Sequence, residues 1–363
     1  MNDFLYLRVK KDLLRKIETG ELKEGDCLPS EKDLCRFYKV SQITVRRAVG
    51  ELTHENILVR QQGKGTFIRR HETCAQVKTI LALVPRAENT FFYDEFYGPV
   101  WKGMEEEANI SGCNLVFSSH SSDLKHKRYL LKAINSEMHS GIIVINELDH
   151  QLLYELRDKL PVVLVDYSLT DFFSVVSDNE GGAFEATGHL VSLGHRKIAC
   201  LTVPAFGNSY PLRVSGYRKA LEAFSIKNDF VFRQEITDPE DKGINAMEKL
   251  GHGACRKMLK NRQGITAIFA VSDAVAIGAM EALREEKIKV PEEMSIVGFD
   301  GIYDTIHSDP PLTTMDVPKE KMGRISVKTL LDNINNRNAN PKEIILSPRL
   351  VIRASAAPPE KVV

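Results

Sequence analysis

At 363 residues, 43% hydrophobic and 27% charged, the chain has the composition of a soluble globular protein of two or three structural units. It contains no apolar run near the roughly 18–20 residues of a membrane-spanning helix. Its opening stretch, MNDFLYLRVKKDLLRKIETG, lacks the apolar block of a secretory signal, so a cytoplasmic protein with no membrane role is expected. Formal net charge is zero, yet residues 1–70 hold 15 Lys+Arg against 10 Asp+Glu, and the remainder is acidic by the same margin. A basic head on an acidic body points to a head that meets a polyanion.

The six cysteines make no C-x-x-C, and no histidine pair has zinc-finger spacing. Reduced thiols are expected, with no structural metal and no cofactor.

The head reads as three helices and two short strands. Leu5, Val9, Leu13, Leu14 and Ile17 form a helical apolar stripe over 5–17. LPSEKDLCRFY (28–38) follows, with Pro29 at the helix entrance and Ser30 or its neighbour as cap. KVSQITVRRAVGEL (39–52) opens on Ser41, another good cap, and ILVRQQ and GTFIRR read as strands joined around Gly63-Lys64-Gly65. At 100° per residue, Val45, Ala48, Val49 and Leu52 share one face of the third helix, and Ile43, Arg46, Arg47 and Gly50 share the other. An aliphatic group beside two guanidinium groups suits DNA, where arginine forks onto guanine or phosphate and an aliphatic side chain touches a thymine methyl. An ordinary solvated amphipathic helix has the same pattern, and the Gly-Lys-Gly hairpin reads equally as a wing tip or a tight turn.

The LPSE, TVRRA and GKGTF strings stand in the order and spacing of one family, and residues 4–68 resemble the DNA-binding domain of the GntR regulators. The resemblance implies a winged helix-turn-helix over 1–70, with Ser41, Gln42, Thr44 and Arg46 at DNA-contacting positions. It places Lys32 near the DNA backbone at the start of the preceding helix, and Lys64 and Gly65 at the wing tip. Gln42 stands where the family usually has Arg, and a glutamine can read adenine through N6 and N7.

Residues 71–78 are polar and unpatterned and read as a linker. From 79 onward, β-branched or aliphatic runs (TILALV, NLVF, GIIVI, VVLVD, IACLTV, AIFAV, SIVGF) alternate with amphipathic helical segments. That is the pattern of βαβ units, and residues 79–363 suffice for two parallel sheets side by side. Ligands of such sheets bind beyond the strands' carboxyl ends. The residues found there are Asn89, Phe91 and Phe92 after the first run, Asp166 after the fourth, then Ser272, Asp273 and Asp300, with Arg213 beginning a helix. Carboxylates and a guanidinium hydrogen-bond vicinal hydroxyls while aromatic rings cover an apolar sugar face. Each residue also has a plainer role: Ser272 or Asp273 as helix cap, Asp300 as turn residue, Phe91 and Phe92 as core, Arg213 as a structural ion pair.

GHLVSLGHRKIACLT, RVSGYRKAL, the run 265–301, PPLTTM and LVIRASA give residues 79–355 a resemblance to the effector-binding core of the LacI/GalR regulators. This implies a two-lobed, Rossmann-like fold of the periplasmic-binding-protein type I class, with Arg213 and Asp300 leading the ligand contacts and Phe92, Asp166 and Ser272 next. Ser272 replaces the family's usual Asn, and Gly301 stands where an acidic residue often follows Asp300. A GntR-type head on a LacI-type core resembles the arabinose-repressor branch of the GntR family.

The rival class is an enzyme. The sequence lacks G-x-G-x-x-G after the first strand, a P-loop, G-x-S-x-G and H-E-x-x-H, and His195 in LGHRKIA reads as a structural turn residue. The expectation is a homodimeric transcription regulator on a roughly palindromic double-stranded operator, most simply a repressor of sugar catabolism genes released by a monosaccharide. A corepressor-dependent or activating protein that responds to another metabolite is the alternative, and a non-regulatory sugar-binding protein a remote one.

Overall fold

The structure is a computed structural model that describes residues 3–19, 21–23, 25–54, 57–61, 65–68, 78–85, 95–120, 130–132, 134, 138–204, 207–236, 246–336 and 339–360. The chain forms two compact units, Met1–Val77 and Lys78–Val363. Most of the expected linker, 71–77, lies outside the described residues.

In the first unit, α1 (Asp3–Glu18), α2 (Glu31–Tyr38) and α3 (Gln42–His54) precede the hairpin β1 (Leu58–Gln61) and β2 (Gly65–Ile68). Ser30 caps α2 by accepting the Asp33 N–H at 3.2 Å. The turn into α3 passes through Lys39 in the left-handed region (φ 54°). The apolar faces meet as expected: Val9 and Leu13 of α1, Leu34 of α2, and Val45, Ala48, Val49 and Leu52 of α3 are buried with Leu58 and Ile68 of the hairpin. Residues 25–28 add a third strand-like segment through Leu28 N–H to Thr66 O and Ile68 N–H to Asp26 O.

The second unit holds two six-stranded sheets. Lobe 1 orders its strands β13-β7-β6-β5-β3-β4, where β3 is Thr79–Pro85, β4 Asn114–His120, β5 Gly141–Ile145, β6 Val162–Val165, β7 Phe173–Ser177 and β13 Glu343–Leu346; every pairing is parallel. Lobe 2 orders them β14-β12-β11-β10-β8-β9, where β8 is Ile198–Thr202, β9 Phe230–Arg233, β10 Ala267–Ala270, β11 Ser295–Asp300, β12 Thr313–Asp316 and β14 Arg349–Val351; β14 alone runs antiparallel to its neighbour. Strands such as GIIVI are continuous apolar runs because helices cover both faces of a parallel sheet. Helices of this unit include α4 (Tyr97–Ile110), α5 (His150–Arg157), α6 (Asn179–Ser192), α7 (Ser209–Ala223), α8 (Ala246–Lys260), α9 (Asp273–Glu285), the single turn α10 (Asp304–His307) and α11 (Lys319–Asn335). Sequence periodicity alone misses β7, β9, β12, β13, β14, α5, α8, α10 and α11.

The chain crosses between the lobes three times, from β7 to α6, from β12 to α11 and from β13 to β14. The second crossing is held by close helix contact. A Cβ at Gly103 of α4 would stand 2.0 Å from Glu320 O of α11, and one at Gly323 would stand 2.0 Å from Val100 O, so the two helices touch backbone to backbone.

His195, 1% exposed, ties the carboxyl-terminal tail to lobe 2. Its Nε2 lies 2.9 Å from Ala357 O, which can only accept, so Nε2 carries the proton and Nδ1 accepts from Thr266 Oγ1 at 2.9 Å. Burial holds the imidazole pKa below its ordinary value, with smaller effects from Ala357 and His189. The neutral ring therefore belongs to the folded state. Below about pH 6.5 the unfolded chain takes up the proton first, so stability falls with pH in that window. The melting temperature should drop more between pH 7.5 and 5.5 in the wild type than in His195→Gln; an equal drop would show that this ring does not titrate with unfolding.

Candidate functional site

Two regions gather polar side chains. In the first unit, α3 turns one face outward: Ile43 is 80% exposed, and Gln42, Arg46 and Arg47 are exposed with it. Glu31, on α2, organises this face. Its Oε2 accepts from Arg46 Nε at 2.8 Å and from Gln42 Nε2 at 3.1 Å, and Arg60 of β1 stands 3.6 Å from Oε1. The Arg46 hydrogen bond, opposed by burial, holds the Glu31 carboxyl below its usual range. Arg47 turns toward α1, its guanidinium 4.0 Å from the centre of the Tyr6 ring and 3.9 Å from Glu51. Lys32 is exposed in the first turn of α2.

Thr44 is placed differently from the sequence expectation. It is 6% exposed and its hydroxyl lies 2.8 Å from Ser41 Oγ, so its side chain serves the start of α3 rather than the outer face. Gly65 has φ 126°, and a Cβ there would meet Cys27 Sγ at 2.9 Å, so the wing strand begins where only glycine fits easily. Lys64 lies outside the described residues.

The second region lies between the lobes, beyond the carboxyl ends of both sheets. Arg213, 2% exposed, stands in the second turn of α7, whose first residue is Ser209, so it does not begin the helix. Its Nη1 pairs with Asp300 Oδ1 at 2.8 Å and donates to Val271 O at 2.7 Å, and its Nε donates to Asn179 Oδ1 at 2.8 Å. Its plane lies 3.9 Å from the centre of the Phe299 ring. The guanidinium thus links the ends of β10 and β11 to the first crossing.

Asp300 has φ 122°, and Asp166 and Asn146, at the ends of β6 and β5, have φ 58° and 61°. Left-handed backbone at non-glycine residues is uncommon and concentrates at binding sites. On the lobe 1 side, Tyr97 Oη donates to Asp166 Oδ2 at 2.9 Å. Tyr210 stands one turn before Arg213 on the lobe 2 side: burial first, then the Asp300 charge, with a smaller effect of Asp166, push its phenol up to about 12.

Two expected ligand contacts are instead supports. Ser272, 2% exposed, caps α9 by accepting the Val275 N–H at 3.3 Å. Asp273 is fully buried, and its carboxyl group accepts the Gly301 and Ile302 N–H groups and is hydrogen-bonded to the Thr314 hydroxyl. Burial, then Asp300, raises its pKa to about 8. Asp273 therefore holds the turn that presents Asp300, and none of its surface is left for a ligand. Phe91, Phe92 and Asn89 lie outside the described residues.

Sequence reasoning missed Glu31, Tyr97, Tyr210, Asn179 and Lys319. Lys319 Nζ donates to the Asp300 and Gly301 carbonyls from the start of α11. Tyr210, three residues before Arg213 in the string SYPLR, carried the clearest overlooked signal, since an aromatic one turn before a helical arginine shares its helix face. Among the described residues no three His, Cys, Asp or Glu side chains form a metal-holding group, and no helix is long and apolar enough to cross a membrane.

Comparison with known proteins matches residues 5–68 to the bacterial regulatory proteins of the gntR family and residues 187–356 to the periplasmic binding protein-like domain. The arabinose metabolism transcriptional repressor of Geobacillus stearothermophilus is 28% identical over 367 residues, covering 96% of this chain and 97% of the relative. The HTH-type transcriptional repressor PurR of Photorhabdus laumondii subsp. laumondii is 30% identical over 268 residues, covering 72% of this chain and 76% of the relative. A solved LacI family transcriptional regulator from Enterococcus faecium, with bound ribose, has a TM-score of 0.65 at 25% identity and covers 77% of this chain and 99% of that one. The chain belongs to the bacterial transcription regulators that carry a gntR-family winged helix-turn-helix head on a LacI-type, periplasmic-binding-protein-like body.

Proposed function

We propose that this regulator is a homodimeric repressor that occupies a roughly palindromic operator and releases it when a pentose-sized monosaccharide enters the interlobe cleft. The observation that carries the reading is the set of groups at the facing strand ends: Asp166 with Tyr97 from lobe 1, and Asp300, Arg213 and Tyr210 from lobe 2. Carboxylates bind vicinal hydroxyl pairs, and the phenol rings cover the sugar's apolar face. The Geobacillus relative governs arabinose metabolism and the Enterococcus structure holds ribose, which supports a pentose.

On DNA, α3 enters the major groove. Gln42 reads adenine, Arg46 forks onto guanine or phosphate, and Ile43 touches a thymine methyl. Ser41, Lys32 and Arg47 meet the phosphate backbone, and Lys64 with Gly65 reaches the adjacent minor groove. Release follows from the sugar's preference for one arrangement of the lobes over another. The protein performs no reaction and works in the cytoplasm, where its DNA is.

Three outcomes test this reading, with the operator taken from a random duplex pool by selection on the full chain. L-arabinose or D-ribose should raise the melting temperature of the wild type, as any ligand of the folded state does, and should leave that of Asp300→Asn unmoved. Asparagine is the informative substitution because it loses the charge but keeps an oxygen that accepts from Arg213, whereas alanine would also leave that buried donor unsatisfied. An equal rise in both proteins would remove Asp300 from the site. Arg46→Ala should weaken operator binding by about 10–100-fold with sugar binding unchanged; unaltered operator affinity would refute the α3 assignment. Raising salt from about 50 to 200 mM should weaken operator binding by orders of magnitude, through counterion release, and a flat profile would argue against phosphate contact.

A further inference from the structure

We infer that Glu95 and Glu147 form a two-point clasp across the lips of the cleft, and that this clasp sets how long an effector is retained. Both glutamates belong to lobe 1, and each grips backbone of lobe 2. Glu147, two residues beyond β5, accepts the Gly207 N–H on Oε2 at 2.9 Å. On the other lip, Glu95, just before α4, accepts the Asp304 N–H on Oε2 at 3.0 Å. A carboxylate accepting backbone N–H groups makes a charge-assisted bond, stronger than a neutral one.

The Gly207 side is built for close approach. Gly207 has φ 78°, and a Cβ there would stand 3.3 Å from the Tyr167 ring and 3.7 Å from Asn146 Oδ1. Gly207 therefore lies close against lobe 1, and a side chain there would push it away. Tyr167 is held in turn by His150, Nε2 to Oη 2.7 Å.

These bonds differ in kind from those at the cleft floor. Arg213, Asp300, Asn179 and Lys319 tie lobe 2 to the crossing segments, which stay connected however the lobes move. The two glutamate bonds join loops remote in sequence and belong to neither lobe's own fold. Opening the cleft breaks both and leaves each lobe intact. They therefore enter the open–closed equilibrium directly, and losing them lowers the closed population by their combined strength. A molecule held between the lobes is released as the lips part, so the effect appears chiefly as faster dissociation.

The clasp is independent of the sugar's identity, while its retention role rests on the cleft being the effector site; the test separates the two. The full-length protein is compared with Glu95→Ala, Glu147→Ala, the double variant and the double Gln variant. Hydrogen–deuterium exchange, followed by mass spectrometry without sugar, reads the peptides spanning 207–213 and 303–307. The double Ala variant should exchange there about tenfold faster or more, with β10 and β11 unchanged and the unliganded melting temperature preserved. Glutamine, which keeps the acceptor and loses the charge, should fall between. Unchanged exchange in the double Ala variant would overturn the clasp. Stopped-flow dissociation of L-arabinose or D-ribose should then be about tenfold faster for each Ala substitution. Faster exchange with unchanged sugar release would overturn the retention role. If neither sugar binds the wild type, the pentose assignment of the preceding section fails, and the exchange arm still decides the clasp.

Discussion

The buried ion pair between Arg213 and Asp300 is the interaction on which the body's design depends. A charged guanidinium taken out of water is tolerable only when its donors are satisfied. Here the partners that satisfy it are the elements a two-lobed receptor must coordinate: Asp300 at the end of β11, Val271 at the end of β10 and Asn179 at the first crossing. Lys319 binds the Asp300 carbonyl from the second crossing, and the Leu346 carbonyl accepts the Asp178 N–H to join the first crossing to the third. Asp300 sits in a left-handed conformation because Asp273, buried beneath it, holds the Gly301 and Ile302 N–H groups. The polar floor of the cleft and the hinge are therefore one hydrogen-bonded structure.

This arrangement lets a ligand with a few hydroxyl groups act on the whole body rather than on one lobe. A molecule that engages Asp166 on one side and Asp300 on the other acts on groups connected to all three crossings. The free energy available for regulation is only the difference between its affinities for the two lobe arrangements, typically about 1–3 kcal/mol. A clasp on the lips works on the same balance from outside the binding site. It can tune the effector concentration needed without touching specificity.

Much of this was legible in the residues. The alternation of apolar runs with amphipathic helices gave the parallel-sheet class, and the apolar and polar faces of α3 were assigned correctly at Val45, Ala48, Val49 and Leu52. Strand-end reasoning located Asp166 and Asp300 at the carboxyl ends of β6 and β11, because that position is a property of topology. What escaped has physical reasons. β13 and β14 are three or four residues long and sit at crossings, where their partners lie some 30 to 170 residues away, so no local period marks them. Ser272 and Asp273 follow a strand, as ligand-binding residues of such sheets do, yet one caps a helix and the other is buried under a turn. Sequence position does not show which way a side chain faces. Thr44 carries the same lesson on a smaller scale, since hydrogen bonding to Ser41 drew inward a group that the family pattern placed at the surface. Glu95 and Glu147 could not be found from sequence at all, because their partners are backbone N–H groups of another lobe.

The most direct measurement of the central claim is the affinity of the full-length protein for its selected operator duplex, by fluorescence anisotropy, as L-arabinose or D-ribose is titrated in at fixed salt. The account predicts that one of these sugars weakens operator binding by about 5–150-fold, the range of a 1–3 kcal/mol coupling, with a midpoint matching its own affinity for the cleft. Operator affinity that stays constant while the same sugar demonstrably occupies the protein would contradict it.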